Sequence, residues 1–277
     1  MSVDYVREER IAGQRAQTEL LRAEFPHRLA VAYGAHRRQA MDLYFPLEAQ
    51  GLSPLIIFLH GGGFQRGEPG YNAYVGRPYL ERGATFVSMG YRLIPELRPP
   101  DTCEDVELGL GWLVKHSSEL EVDPERVCIA GASAGAVLAA IVALRHWPAE
   151  CRLAPDLIKG LVVISGGMYD FAKILEAAPQ FCNPDSGRWF ADLTMSIQRV
   201  PAHTVIVRGE HDLPVVHPDS EALARAIRAH GGSVDEFVEQ GADHYAAVQG
   251  FATPRTAVSE RVLKILGLTA AWSRAGQ

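Results

Sequence analysis

The sequence predicts an α/β protein, a mostly parallel twisted sheet of about eight strands with helices on both faces and a small cap. Three observations support this. Apolar strand-like runs alternate with helical segments along most of the 277 residues, as a sheet covered on both faces requires. The run 54–59 (Pro-Leu-Ile-Ile-Phe-Leu) is continuously apolar, the pattern of a strand buried on both sides. The run 127–132 breaks at Gly131-Ala132-Ser133-Ala134-Gly135 and resumes as a small-residue helix, which reads as strand, sharp turn and helix.

The elements follow in order. Residues 3–24 carry apolar positions at Val6, Ile11, Ala16, Leu20 and Leu21 among many charges, an amphipathic helix ended by Pro26. Segments 28–32 and 39–45 form two strands around a turn at Gly34, an antiparallel edge. After the strand 54–59 come a glycine run, a helix over 71–82, a strand over 84–89 and a helix over 101–116. Asp101, Glu104 and Asp105 suit the positive N-terminal end of that last helix. Strands at 160–165, 204–207 and 234–238 follow the central strand, with helices near 220–230 and 254–266 between and after them. No repeat or linker divides the chain, so residues 1–277 are expected to form one domain. The segment 1–28 and the irregular insertion 168–199 are candidate caps.

Composition narrows the function. Hydrophobic residues make up 47% and charged residues 22%, the balance of a globular chain with a full core. The net charge of -6 without a basic cluster argues against nucleic acid or an anionic membrane surface as partner. No apolar stretch is long enough for a signal peptide or a membrane span, so a cytoplasmic protein is expected. Cys103, Cys128, Cys151 and Cys182 lack Cys-x-x-Cys spacing, which signals neither a zinc site nor a disulfide framework. No metal or organic cofactor is called for, and small organic substrates fit best. A homodimer would pair through the carboxyl-terminal strand or a terminal helix.

The chemistry centres on Ser133. A serine hydroxyl needs a base within hydrogen-bond reach, and the base needs an acid to hold its tautomer. In a strand-turn-helix setting the chain order is serine, acid, histidine. Asp212 follows the strand 204–207 and His244 follows the strand 234–238, both at one edge of the sheet. Glu210 and Asp219 compete for the acid position, and His211 and His217 lie near it. Gly61-Gly62-Gly63, after an earlier strand, can bring backbone N–H groups close to an oxyanion. The N–H of Ala134 would be a further donor. A phosphate cradle is a poorer reading of these glycines, because no Gly-Lys-Ser/Thr follows. Phe64, Tyr71, Tyr74, Trp189, Phe190 and Tyr245 cluster around the expected site loops. Phe64, Tyr74, Trp189 and Tyr245 stand as candidate substrate-binding residues.

Gly-Ala-Ser-Ala-Gly, His60-Gly61-Gly62-Gly63-Phe64, the Tyr-Arg-Leu-Ile-Pro-Glu of 91–96, Gly209-Glu210-His211-Asp212 and Gly241-Ala242-Asp243-His244 together resemble an α/β-hydrolase of the hormone-sensitive-lipase-like esterase group. The likeness runs from about residue 38 to 266. It implies Gly62 and Gly63 as oxyanion donors, with His60 bracing their loop. Residues 39–46 and 164–170 are also similar to kynurenine formamidases (arylformamidases), which share fold and triad. The expectation is a serine hydrolase of small to medium carboxylic esters acting through an acyl-enzyme, with Ser133, Asp212 and His244 as the catalytic residues. An arylformamidase is the first alternative, and a non-catalytic small-molecule-binding α/β-hydrolase fold the second.

Overall fold

The computed structural model describes residues 3–49 and 51–268. Eight strands form one sheet: β1 (His27–Ala32), β2 (Ala40–Tyr44), β3 (Ser53–Leu59), β4 (Thr85–Met89), β5 (Val122–Ala132), β6 (Ile158–Ile164), β7 (His203–His211) and β8 (Ser233–Asp243). Their spatial order is β1-β2-β4-β3-β5-β6-β7-β8. β1 pairs antiparallel with β2, and β2 with β4; all other pairs are parallel. From β3 the chain steps outward to β4, then crosses back to β5 on the other side of β3. The carboxyl ends of β3 and β5 therefore flank the crevice where the winding reverses, the usual ligand position in such sheets.

Alternation along each strand builds two cores. Leu55, Ile57 and Leu59 of β3 join one cluster, with residues of α4 (Cys103–Lys115), α5 (Ala134–Leu144) and α7 (Val216–Ala229). Ile56 and Phe58 point the other way, into a cluster with α1 (Val3–Glu24), α8 (Gln249–Ala252) and α9 (Ala257–Ile265). The two-residue period of a strand sends successive side chains to opposite faces, so both faces of β3 must be covered. α5 is apolar all round, and every one of its residues is buried, as a helix wedged between sheet and neighbours requires.

The expected helix over 71–82 is instead three short pieces: α2 (Pro69–Asn72), a 3₁₀ turn at Ala73–Gly76 and α3 (Arg77–Leu80). Pro78 lacks the N–H that a continuous helix would use. Against this broken run lies α1. Leu21 is buried, Thr18 Oγ accepts the Tyr74 N–H at 3.2 Å, and Arg15 pairs with Glu68 at 2.9 Å. Arg22 pairs with the buried Asp42 at 3.1 Å.

The insertion 168–199 folds away from the crevice. It contains α6 (Phe171–Ala177) and is fastened to the α4 side by Arg188 donating to the buried Glu107 at 2.7 Å. Asn183 and Ser186 both donate to Asp101. Phe190 packs on Phe171 at 4.9 Å and lies beneath the Arg145 guanidinium.

Candidate active site

β5 ends at Ala132, and Ser133 takes φ 53° and ψ −120° before α5 begins. This conformation costs an L-residue about 1–3 kcal/mol and persists only where the surroundings enforce it. A Cβ on Gly135 would stand 2.1 Å from the Leu59 carbonyl oxygen, and one on Gly131 would stand 2.2 Å from that of Gly135. Only glycine lets strand and helix close this tightly around the serine. The Ser133 N–H donates to the Ile164 carbonyl at 2.9 Å, fixing the turn against β6.

His244 follows β8 directly and Asp212 follows β7, so both reach the same edge as Ser133. His244 Nε2 lies 3.0 Å from Ser133 Oγ, and its Nδ1 lies 2.6 Å from Asp212 Oδ1. A carboxylate can only accept, which assigns the ring proton to Nδ1 and leaves Nε2 as acceptor for the serine hydroxyl. The Asp212 side chain is 0% exposed. It also accepts from Ser165 Oγ at 2.6 Å, the Gly209 N–H at 3.1 Å and the Leu213 N–H at 2.8 Å. Burial pushes this carboxyl up, but the hydrogen bonds from Ser165, His244 and the two amides outweigh it and hold it below the usual range. The competing carboxylates are engaged elsewhere: Glu210 accepts the Gly241 N–H, and Asp219 the Met168 N–H.

The loop after β3 lies beside Ser133. A Cβ on Gly61 would stand 3.2 Å from Ser133 Cβ; Gly62 has φ +126°, and its Cβ would stand 2.1 Å from the Arg66 carbonyl oxygen. His60 is fully buried under this loop, its ring stacked on Tyr91 at 4.3 Å. Its Nδ1–H donates to the Gly61 carbonyl at 2.8 Å, and the Tyr91 hydroxyl donates to the His60 carbonyl at 2.6 Å. Burial lowers the imidazole pKa to about 4. The folded value is below the unfolded one, near 6.5, so the stability contributed is complete above pH ~6.5 and is lost as pH falls toward ~4, on the order of 3 kcal/mol. Urea unfolding between pH 7 and pH 4.5 should show this decline, and His60→Asn should flatten it.

A cavity of about 610 Å³ opens in front of Ser133 and His244. Of the sequence-predicted substrate residues, Tyr245 lines it, its ring edge-on to His244 at 5.4 Å. Phe64 and Tyr74 flank it without lining it. Phe64 packs on the α4 and α5 core, and Tyr74 is 8% exposed among residues of the α1 face. Trp189 is a correction: it packs edge-on to Phe171 at 6.3 Å, and no residue of 168–199 lines the cavity. The ion pair of Arg188 with Glu107 anchors that segment to α4, a distant partnership that local sequence does not announce. Its place at the cavity is taken by Arg10, Ile11 and Gln14 of α1, with Arg66, Tyr71 and Asn72. Ser165, which holds Asp212, was also missed as a site residue. Its signal was a hydroxyl at the end of a buried strand, inside the formamidase-like stretch 164–170.

Comparison with known proteins agrees with this fold. The BD-FAE family model matches residues 41–154. A rice (Oryza sativa subsp. japonica) protein named "Probable isoprenylcysteine alpha-carbonyl methylesterase" is 27% identical over 78% of this chain; the chain spans 56% of that relative's length. Kynurenine formamidase of Danio rerio is 23% identical over 96% of this chain and 91% of its own length. The solved esterase of Pyrobaculum calidifontis superposes with a TM-score of 0.70 at 22% identity, covering 98% of this chain and 95% of that one. The chain thus has the α/β-hydrolase fold and is similar to both carboxylesterases and kynurenine formamidases.

Proposed function

We propose that the protein is a serine hydrolase of small to medium carboxylic esters, acting through an acyl-enzyme. The observation that carries this reading is the unbroken chain from Ser133 Oγ through His244 to Asp212, at 3.0 and 2.6 Å, facing the cavity. Ser133 attacks the carbonyl as His244 Nε2 takes its proton, and Asp212 stabilises the imidazolium that forms. The N–H groups of Gly62, Gly63 and Ala134 receive the oxyanion, a preorganised contact that needs no rearrangement as charge develops. His244 then hands its proton to the leaving group. Water enters, loses a proton to the same ring, and releases the acid. Helix α1 caps the cavity, and four thiols without a disulfide partner suit a cytoplasmic setting.

A second reading, arylformamidase, is favoured by the near full-length match with the fish formamidase. Formamide hydrolysis uses the same groups, with an amine as leaving group. Comparing kcat/KM on p-nitrophenyl butyrate and N-formylkynurenine separates the two. An ester preference of at least tenfold is expected, because the activated p-nitrophenolate leaving group outweighs any gain from the carboxylate of N-formylkynurenine; the reverse preference selects the formamidase, and turnover of neither contradicts the hydrolase reading.

A further inference from the structure

We infer that the cavity before Ser133 selects substrates carrying a carboxylate, with Arg66 as the recognising group and Arg10 as its companion. This rests on the hydrolase reading and names its substrate class. Among the described residues two guanidinium side chains line the cavity and no carboxylate does, in a protein whose net charge is -6. A cationic wall in an acidic protein concentrates anions at that one place.

The two arginines differ in how they are held. Arg10, on α1, lies 4.1 Å above the Tyr245 ring, with an amino group 3.7 Å from the Asp243 carboxylate. Its charge is partly compensated, and it stands one ring beyond His244. Arg66 has no carboxylate partner among the described residues, whereas nearby Arg15, Arg22 and Arg77 are paired with Glu68, Asp42 and Glu24. Its stem is pressed against the oxyanion loop: a Cβ on Gly62 would meet Arg66 Cγ at 2.9 Å. The guanidinium is thus within one side-chain length of the loop that would hold the reacting carbonyl. Ile11, Ile164 and Val248 give the cavity an apolar lining for the organic body of such a substrate.

A guanidinium offers a planar fork that fits a carboxylate through two parallel N–H donors. One uncompensated positive charge balances one negative charge, which favours a carboxylate over a phosphate dianion. The carboxylate can be borne on the leaving group, which must lie on the His244 side, or on the acyl group.

The test compares matched acid and methyl-ester substrates. On the leaving-group side the pair is 4-acetoxybenzoate and methyl 4-acetoxybenzoate; on the acyl side it is the mono-p-nitrophenyl ester of terephthalic acid and the methyl ester of that compound. The ratio of kcat/KM within a pair, wild type against Arg66→Gln, cancels intrinsic reactivity. Arg66→Gln is expected to lower the acid-to-ester ratio about tenfold on one side, with Arg66→Lys intermediate. Added salt should lower the wild-type ratio in the same direction. An unchanged ratio on both sides overturns the inference.

Absence of all turnover would instead overturn the hydrolase reading, and calorimetry of 4-hydroxybenzoate on Ser133→Ala then still reads Arg66. Tighter binding than its methyl ester, lost on adding Arg66→Gln, supports the inference; equal binding overturns it.

Discussion

Ser133→Ala is expected to lower kcat on p-nitrophenyl butyrate by about 10⁴- to 10⁶-fold, because the attacking atom is gone while the oxyanion donors and the cavity remain. The residual rate should still exceed that of water alone. The fold should be retained, since among the described residues the Ser133 hydroxyl bonds only to His244 and the backbone contacts of the turn do not involve it. Alanine keeps the strained φ of 53°, and a nucleophile site is commonly less stable than it could be. A melting temperature equal to or above wild type, with turnover abolished, is the expected pair of results. A melting temperature well below wild type would show that the hydroxyl is structural.

Asp212→Asn should lower kcat by about 10⁴-fold, because the amide N–H₂ would face His244 Nδ1 and turn the ring to the wrong tautomer. Glu210→Gln is the control and should stay within a few-fold of wild type, as Glu210 accepts the Gly241 N–H and lies 4.0 Å from His211 Nε2, with no contact to His244 among the described residues. The Asp212 carboxyl is held below the usual range, so its stabilisation is complete above the ordinary carboxylate pKa and fades as pH falls through the depressed one. The stability difference between wild type and Asp212→Asn should therefore shrink in acid. Urea denaturation at pH 7 and pH 3 measures that difference beside the assay. Ser165→Ala should act in the same direction more mildly, since it removes one of the four hydrogen bonds to Asp212.

The sheet and its site loops were legible because each rests on short-range rules. A continuously apolar run such as Leu55 to Leu59 has to be a strand covered on both faces, and a glycine on either side of Ser133 is required wherever strand and helix close to van der Waals contact. The meeting of Asp212 and His244 with Ser133 was legible because each follows a strand, and parallel strands deliver their following residues to one edge. Distant partnerships were not legible. Trp189 looked like a site aromatic, but the carboxylates that fasten its segment, Glu107 and Asp101, stand some eighty residues earlier in the chain. Arg10, Ile11 and Gln14 read as surface and core positions of an amphipathic helix. What brings them over Ser133 is the docking of α1 through Thr18, Leu21 and Arg22 on residues of the sheet edge and the broken helix. Pattern alone does not encode where a helix docks.

In the proposed reaction Ser133 carries the acyl group. Mixing the protein with p-nitrophenyl butyrate, quenching in acid within the first turnovers and mapping the digest by mass spectrometry tests this directly. One butyryl group on the peptide containing Ser133, absent in Ser133→Ala and formed far more slowly in His244→Ala, is the predicted result. Undiminished p-nitrophenol release with the acyl group on another residue, or with Ser133 replaced by alanine, would contradict it.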